Sequence, residues 1–188
     1  MKTHVLTLAA AGVLSAGVHA ADSYSIDPRH TYPVFEVKHL GFSTQRGRFN
    51  KVTGKIVLDR AAKSGSVDVV IDVASIDMGI DKWDEHMKSE DFFHVEKYPT
   101  MTYKSDRLRF EGDKLVGVEG QLTLLGVTKP VSLQVTHFHC GMNPAVKREG
   151  CGADAFATIK RSDFGMSRMV PALGDEIAIR IPIEASKE

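Results

Sequence analysis

The chain has 188 residues, of which 43% are hydrophobic, and it carries 24 basic and 24 acidic side chains. That length supports one domain with its own core and no metal staples. Balanced charge without a basic stripe excludes nucleic acid as the expected partner, and no stretch approaches the ~20 apolar residues of a membrane-spanning helix.

Residues 1–20 read as a secretory signal peptide: Lys2 is a minimal positive region, 5–18 an apolar run, and Val18-His19-Ala20 a small-x-small cleavage pattern. The expected mature domain is therefore 21–188, exported and soluble, with a net charge of about −1 once Lys2 is lost.

From there, apolar residues recur at every second position. Val67, Val69, Ile71 and Val73 alternate with mostly polar neighbours, as do Val116, Val118, Leu122 and Leu124, and again Ile177, Ile179, Ile181 and Ile183. A period of two puts each apolar set on one face of a strand. The predicted strands are 23–27, 34–40, 47–59, 66–73, 100–105, 107–111, 115–124, 131–139, 153–160 and 176–184. Gly112-Asp113 marks a tight hairpin, and Gly126 and Pro130 mark another turn. Pro33 begins a strand, and Pro182 predicts an edge or distorted position. A chain of such strands either sandwiches two apolar faces or curls one sheet until its apolar face points inward.

One interruption, 76–98, breaks the series. Asp81 is the expected cap of a short helix over 82–88, with Trp83 and Met87 on one face and Asp84 and Glu85 in the first turn. Phe92 and Phe93 follow. A lid over one barrel end and a simple cap on the core fit this segment equally.

Cys140 and Cys151 lack zinc-site or C-x-x-C spacing, and in an exported protein they read as a disulfide contributing about 3 kcal/mol; a pair of free thiols is the alternative. Catalytic patterns fail on their context. His137 and His139 share a strand face but lack a third metal ligand. Asp163-Phe164-Gly165 lacks every other kinase element, and no Gly-x-Ser-x-Gly elbow or phosphate loop occurs. His39 continues the inward alternation of Phe35 and Val37. It is either a hydrogen-bonded core imidazole or a polar contact for an amphiphile's head. An apolar interior without a reactive group or metal is the profile of a carrier rather than an enzyme.

Several segments carry a resemblance. Asp27-Pro28-Arg29-His30-Thr31 and Phe35-Glu36-Val37-Lys38-His39-Leu40-Gly41-Phe42 open it, and Arg46-Gly47-Arg48-Phe49 continues it. Asp84-Glu85-His86-Met87 through Phe92-Phe93, then Gly120-Gln121-Leu122-Thr123-Leu124-Leu125-Gly126-Val127-Thr128-Lys129-Pro130, and Arg161-Ser162-Asp163-Phe164-Gly165-Met166 complete it. In order and over the whole mature chain, these resemble the YceI-like family. The resemblance implies an all-β fold: an extended, lipocalin-like antiparallel β-barrel with a short helix between strands, its pore holding a long isoprenoid or similar amphiphilic lipid. It also implies a periplasmic or cytoplasmic binding protein without demonstrated catalysis, the export signal favouring the periplasm, and no cofactor is expected. Thr31, Pro33 and Met87 depart from the family's usual residues, and Pro33 bears on the barrel mouth.

Alternation then nominates the pore lining: Phe35, Val37, His39, Phe49, Val69, Ile71, Tyr103, Leu122, Leu124, Leu133 and Ile179 along the bore. Met87, Phe92, Phe93, Phe164, Met166 and Met169 are expected at its mouths, where thioethers suit a ligand of variable shape. At about 0.8 kcal/mol per buried CH₂, a tail of roughly forty carbons supplies ample affinity, so discrimination falls to the head. For a quinone-like head the candidate donors are His30, His39, Arg161 and Tyr103; for a prenyl phosphate they are Arg46, Arg48 and Arg161. The alternative to a carrier is an enzyme or redox accessory acting on an isoprenoid quinone, in transient contact with an inner-membrane cytochrome. Monomer and homodimer are both compatible with the sequence.

Overall fold

In a computed structural model describing residues 21–188, the alternating segments become eleven antiparallel strands. First come β1 (Asp22–Ile26), β2 (Val34–His39), β3 (Ser43–Phe49), β4 (Val52–Asp59) and β5 (Ser64–Asp72). A two-residue β6 (Ile76–Asp77) and the helix α1 (Asp81–Lys88) interrupt them. Then follow β7 (Thr100–Glu111), β8 (Lys114–Leu124), β9 (Val127–Asn143), β10 (Arg148–Lys160) and β11 (Leu173–Lys187).

Strands β1, β4, β5, β7, β8, β9, β10 and β11 close into a ring of eight, because β1 pairs with β4 on one side and with the end of β11 on the other. The expected all-β antiparallel barrel with one short helix is what forms. At one end the wall is prolonged by β2 against the first half of β11, β3 against β2, and β6 against β3. Thus β1 and β2 are two halves of one long wall strand broken at 27–33. In the same way β3 and β4 are broken at 50–51, and β5 and β6 at the 3-10 turn Val73–Ser75. Extended strands of this kind make the barrel a deep tube rather than a shallow cup.

Three boundaries differ from expectation for local reasons. The predicted strand 47–59 is divided because Phe49 N–H donates to Pro33 O while Asn50 N–H turns to Ser75 O, so the wall changes neighbours there. The predicted pair 100–105 and 107–111 is one strand, β7, carrying a bulge between Lys104 and Arg107. Ser105 Oγ holds the bulge, accepting from Arg107 N–H at 3.0 Å and donating to Glu119 O at 2.7 Å. Pro130 lies inside β9, opposite Gln121, and not in the turn. Its missing N–H is harmless because β10 joins β9 only from Gln134 onward. The turn itself is Leu125-Gly126, both residues left-handed at φ 52° and 74°, as a two-residue hairpin requires.

Pro182 occupies a locally edge-like position. It pairs with Asp154 of β10, and its other side faces the break between β1 and β2. Helix α1 is not capped by Asp81, which lies in its first turn; the helix starts from Ile80 without a side-chain cap. Asp84 instead accepts the Met78 N–H at 2.6 Å, tying the helix to the strand before it. Cys140 and Cys151 are opposed in the β9–β10 ladder and bonded, S–S 2.05 Å. Among the described residues no helix is long and apolar enough to cross a membrane. The expected signal segment, 1–20, lies outside the described residues.

Candidate ligand-binding cavity

A cavity of about 440 Å³ occupies the barrel, within the ~300–1,000 Å³ range of ligand sites. Its wall is the inward face of the strands. Phe35, Val37 and His39 of β2, Phe49 of β3, and Val69 and Ile71 of β5 border it. So do Tyr103 of β7, Leu122 and Leu124 of β8, Leu133 of β9 and Ile179 of β11. Met87, Phe92, Phe93, Met166 and Met169 complete the nominated set. Phe164 is the exception. It is buried in the core from the 3-10 turn Arg161–Phe164 and does not border the cavity.

Space for the bore depends on how the aromatic rings are stowed. Phe35, Phe49 and Phe93 pack together with centroids 5.4–6.4 Å apart. The Phe35 ring lies against Gly47, where a Cβ would sit 2.5 Å from Cζ, and Tyr103 lies against Gly120 at the same separation. Glycine at these two positions lets each ring sit against the wall.

The polar candidates separate into three groups. His30, Arg46 and Arg48 do not border the cavity. His30 Nδ1 is 3.0 Å from Asp27, Arg46 Nε donates to Glu36 at 2.9 Å, and Arg48 reaches Asp77 at 3.4 Å while lying over the Tyr32 ring. The outward placement of Arg46 and Arg48 follows from the period of two, since Gln45, Gly47 and Phe49 take the inner face of β3; His30 lies in the connection between β1 and β2.

Arg161 and Tyr103 do border the cavity, but their donors are already engaged. Arg161 is 4% exposed. It donates from Nε to Gly174 O, from Nη1 to Met166 O, and from Nη2 to Arg168 O and Leu173 O, at 2.9–3.1 Å. Burial pulls its pKa down, and the Asp175 charge opposes that. The Tyr103 hydroxyl is 2.9 Å from Val131 O and 3.1 Å from Val118 O, donating to the main chain, and burial pushes its pKa up. Neither residue is placed to serve a head group, contrary to expectation. His39 remains, at the end of β2 and half-buried on the cavity wall.

Many bordering residues were not nominated, among them Gln45, Trp83 and His86. Gln45 donates to Ser43 Oγ at 2.8 Å, and its inward phase was readable from Phe49. Trp83 was readable from Met87, with which it shares a helix face; His86 had no such signal, because an isolated two-turn helix does not reveal all that it covers. They locate the entrance. Among the bordering residues only Trp83, His86 and Met169 are exposed. The mouth therefore lies between α1 and the connection 161–172, which an Arg168–Asp91 pair at 3.4 Å holds to the segment after the helix. The helix lines one side of this opening. At the opposite end Tyr24, Leu58 and Ala185 form a buried floor with the disulfide packed against it.

Outside the cavity, Asp27, His30 and Glu184 bring three ligand-type atoms within 4.8 Å of one another. Arg29 already holds both oxygens of Asp27, at 2.8 and 3.0 Å, and drives its carboxyl far below the usual range. His137 and His139 are exposed on the outer face of β9.

Comparison with known proteins gives a consistent picture. A family model described as the YceI-like domain matches residues 24–185. The chain is 33% identical over 193 residues to protein YceI of Escherichia coli O6:H1, covering all of both chains. It is 32% identical over 190 residues to a UPF0312 protein of Pseudomonas aeruginosa, covering 100% of this chain and 98% of the relative. Among solved structures, Burkholderia cenocepacia BcnA superposes with a TM-score of 0.72 at 25% identity, over 85% of this chain and 98% of its own. A polyisoprenoid binding domain from Saccharophagus degradans superposes at 0.66 with 19% identity, over 88% and 98%, a likeness of fold.

Proposed function

The chain belongs to the YceI-like family, and from that premise we propose that it is a periplasmic carrier holding one long-chain polyisoprenoid, or a similar amphiphilic lipid, in the barrel pore. The single observation that carries this reading is the cavity of about 440 Å³, walled almost wholly by aliphatic and aromatic side chains and open at one mouth. The name of the Saccharophagus degradans neighbour, a polyisoprenoid binding domain, supports the ligand class. The Cys140–Cys151 disulfide suits an oxidising compartment, in keeping with the secretory signal expected at 1–20.

Of the two head groups considered, a neutral quinone-like head fits better than a prenyl phosphate. A phosphate calls for an Arg or Lys free to pair with it. The one charged side chain on the cavity wall among the described residues is Arg161, whose guanidinium is committed to four carbonyls. His39, Gln45 and His86 offer the one or two hydrogen bonds that a quinone or alcohol needs. A carried quinone would be handed on at the membrane, for which transient contact with a cytochrome is the corresponding partner.

Organic extraction of protein purified from its native periplasm, followed by mass spectrometry, tests the reading. A near-stoichiometric isoprenoid, chemically unchanged on incubation, is expected. A converted lipid would favour the enzyme alternative, and absence of any lipid with no uptake on incubation would end the carrier proposal.

A further inference from the structure

We infer that the mouth of the barrel docks on a lipid bilayer through a rim of exposed apolar side chains, so that the ligand enters and leaves without crossing water. This rests on the carrier reading above. Seven large hydrophobic residues are exposed among those described, and five of them, Leu40, Phe42, Ile80, Trp83 and Met169, belong to the end where the cavity opens. They come from three separate elements: the β2–β3 turn, the start of α1, and the 161–172 connection. Their exposures run from 41% to 90%, with Phe42 the most exposed, at the tip of a tight turn whose Leu40 and Gly41 have left-handed φ of 51° and 76°.

Scattered exposed apolar residues need no explanation, but this set is continuous with the interior. Trp83 and Met169 are at once rim and cavity wall, so the apolar surface passes from outside to inside without a polar break. A chain-like lipid that left a bilayer through water would expose about 0.8 kcal/mol of apolar surface per CH₂. A rim that penetrates the acyl boundary removes that barrier, and this commits the surface to a bilayer rather than to a protein. The charges beside it are of both signs, with Asp81, Lys82 and Glu85 around Trp83. Attraction to an anionic surface is therefore not what holds the contact, and added salt should weaken it little.

Flotation of the purified protein with vesicles of phosphatidylcholine, alone or mixed with phosphatidylglycerol, tests the rim. The wild-type protein is expected to float with both, and to do so in high salt. The chain's one tryptophan, Trp83, should shift its emission to the blue. Phe42→Ser and Ile80→Ser, neither of which borders the cavity, should each weaken vesicle binding about tenfold or more. Met142→Ser, on an exposed residue of the far end, should leave it unchanged. Wild-type protein that stays unbound, or rim variants that float as well as wild type, would overturn the inference. So would a dimer on gel filtration that Phe42→Ser splits, since a second copy would then cover the rim. Lipid recovered by extraction from a protein that does not float would defeat docking and leave the carrier standing; flotation without extractable lipid would do the reverse.

Discussion

Four main-chain oxygens converge on the Arg161 guanidinium, and they belong to the two sides of one loop: Met166 and Arg168 on the outward leg, Leu173 and Gly174 on the return. A planar fork with fixed donors can hold four carbonyls at once, and a lysine ammonium cannot. Arg161→Met should therefore lower stability by about 3 kcal/mol or more in urea denaturation, the magnitude expected when buried acceptors lose charged donors. Arg161→Lys should recover little of that. Amide exchange at 162–172 should accelerate in both variants while the far end stays protected. Tyr103 makes the contrasting case. Tyr103→Phe should reduce stability by about 1 kcal/mol and leave retained lipid within twofold of wild type. A large fall in retention would show that the hydroxyl serves the ligand rather than Val118 and Val131.

Broken wall strands are the feature of this barrel that leaves the faintest trace in sequence. A period of two registers which residues face inward and says nothing of which neighbour a strand pairs with, so 47–59 reads as one strand although its partner changes at Asn50. The same blindness hides the β7 bulge, whose cause is one buried serine, and it puts Pro130 in a turn because the vacant side of β9 leaves no trace in sequence. What the pattern does carry is most of the inward set, the hairpins at Gly112 and Gly126, and the place of the helix; at the start of β8 a register slip puts Leu115 on the cavity in place of the expected Val116. The break between β1 and β2 is pinned on its outer side by Asp27, which accepts from Arg29 and His30, and from within by the buried Thr31, which bonds both N–H and C=O of Glu184. Arg29, chiefly through its side-chain hydrogen bond, depresses the Asp27 carboxyl. The folded state is then stabilised above the unfolded value near ~4, and that contribution is lost as pH falls toward the lower folded value. Asp27→Asn should flatten the dependence of thermal midpoint on pH below ~4, and an unchanged slope would remove this role. At the other end, Cys140→Ser with Cys151→Ser should reduce stability by about 3 kcal/mol without altering uptake of short-tailed lipid, because Cys151 borders the cavity only at its floor.

For the molecule as a whole, the legible part of the site was its apolar wall and the illegible part was its polarity. Hydrocarbon lining repeats along every strand and announces itself. A head-group contact is one residue, and chemistry alone nominated Arg46 and Arg48, which the pleat then turned outward onto Glu36 and Asp77. A tube with one mouth, a floor and almost no polar wall has a consequence that a globular pocket lacks: it measures length. Each isoprene unit brings five carbons, nominally about 4 kcal/mol, so affinity should climb with tail length and level off once the tail reaches the floor. Two blocks placed at different depths separate this from simple loss of binding. Leu122→Trp, on the mouth-side half of β8, should weaken ligands of every length. Ile183→Trp, on β11 toward the floor, should leave short tails unaffected and bring the plateau to shorter ones, as native mass spectrometry of a graded isoprenoid series would read. If both variants weakened all lengths equally, the interior would be acting as one undivided pocket, and a threaded tail would no longer describe how this barrel holds its ligand.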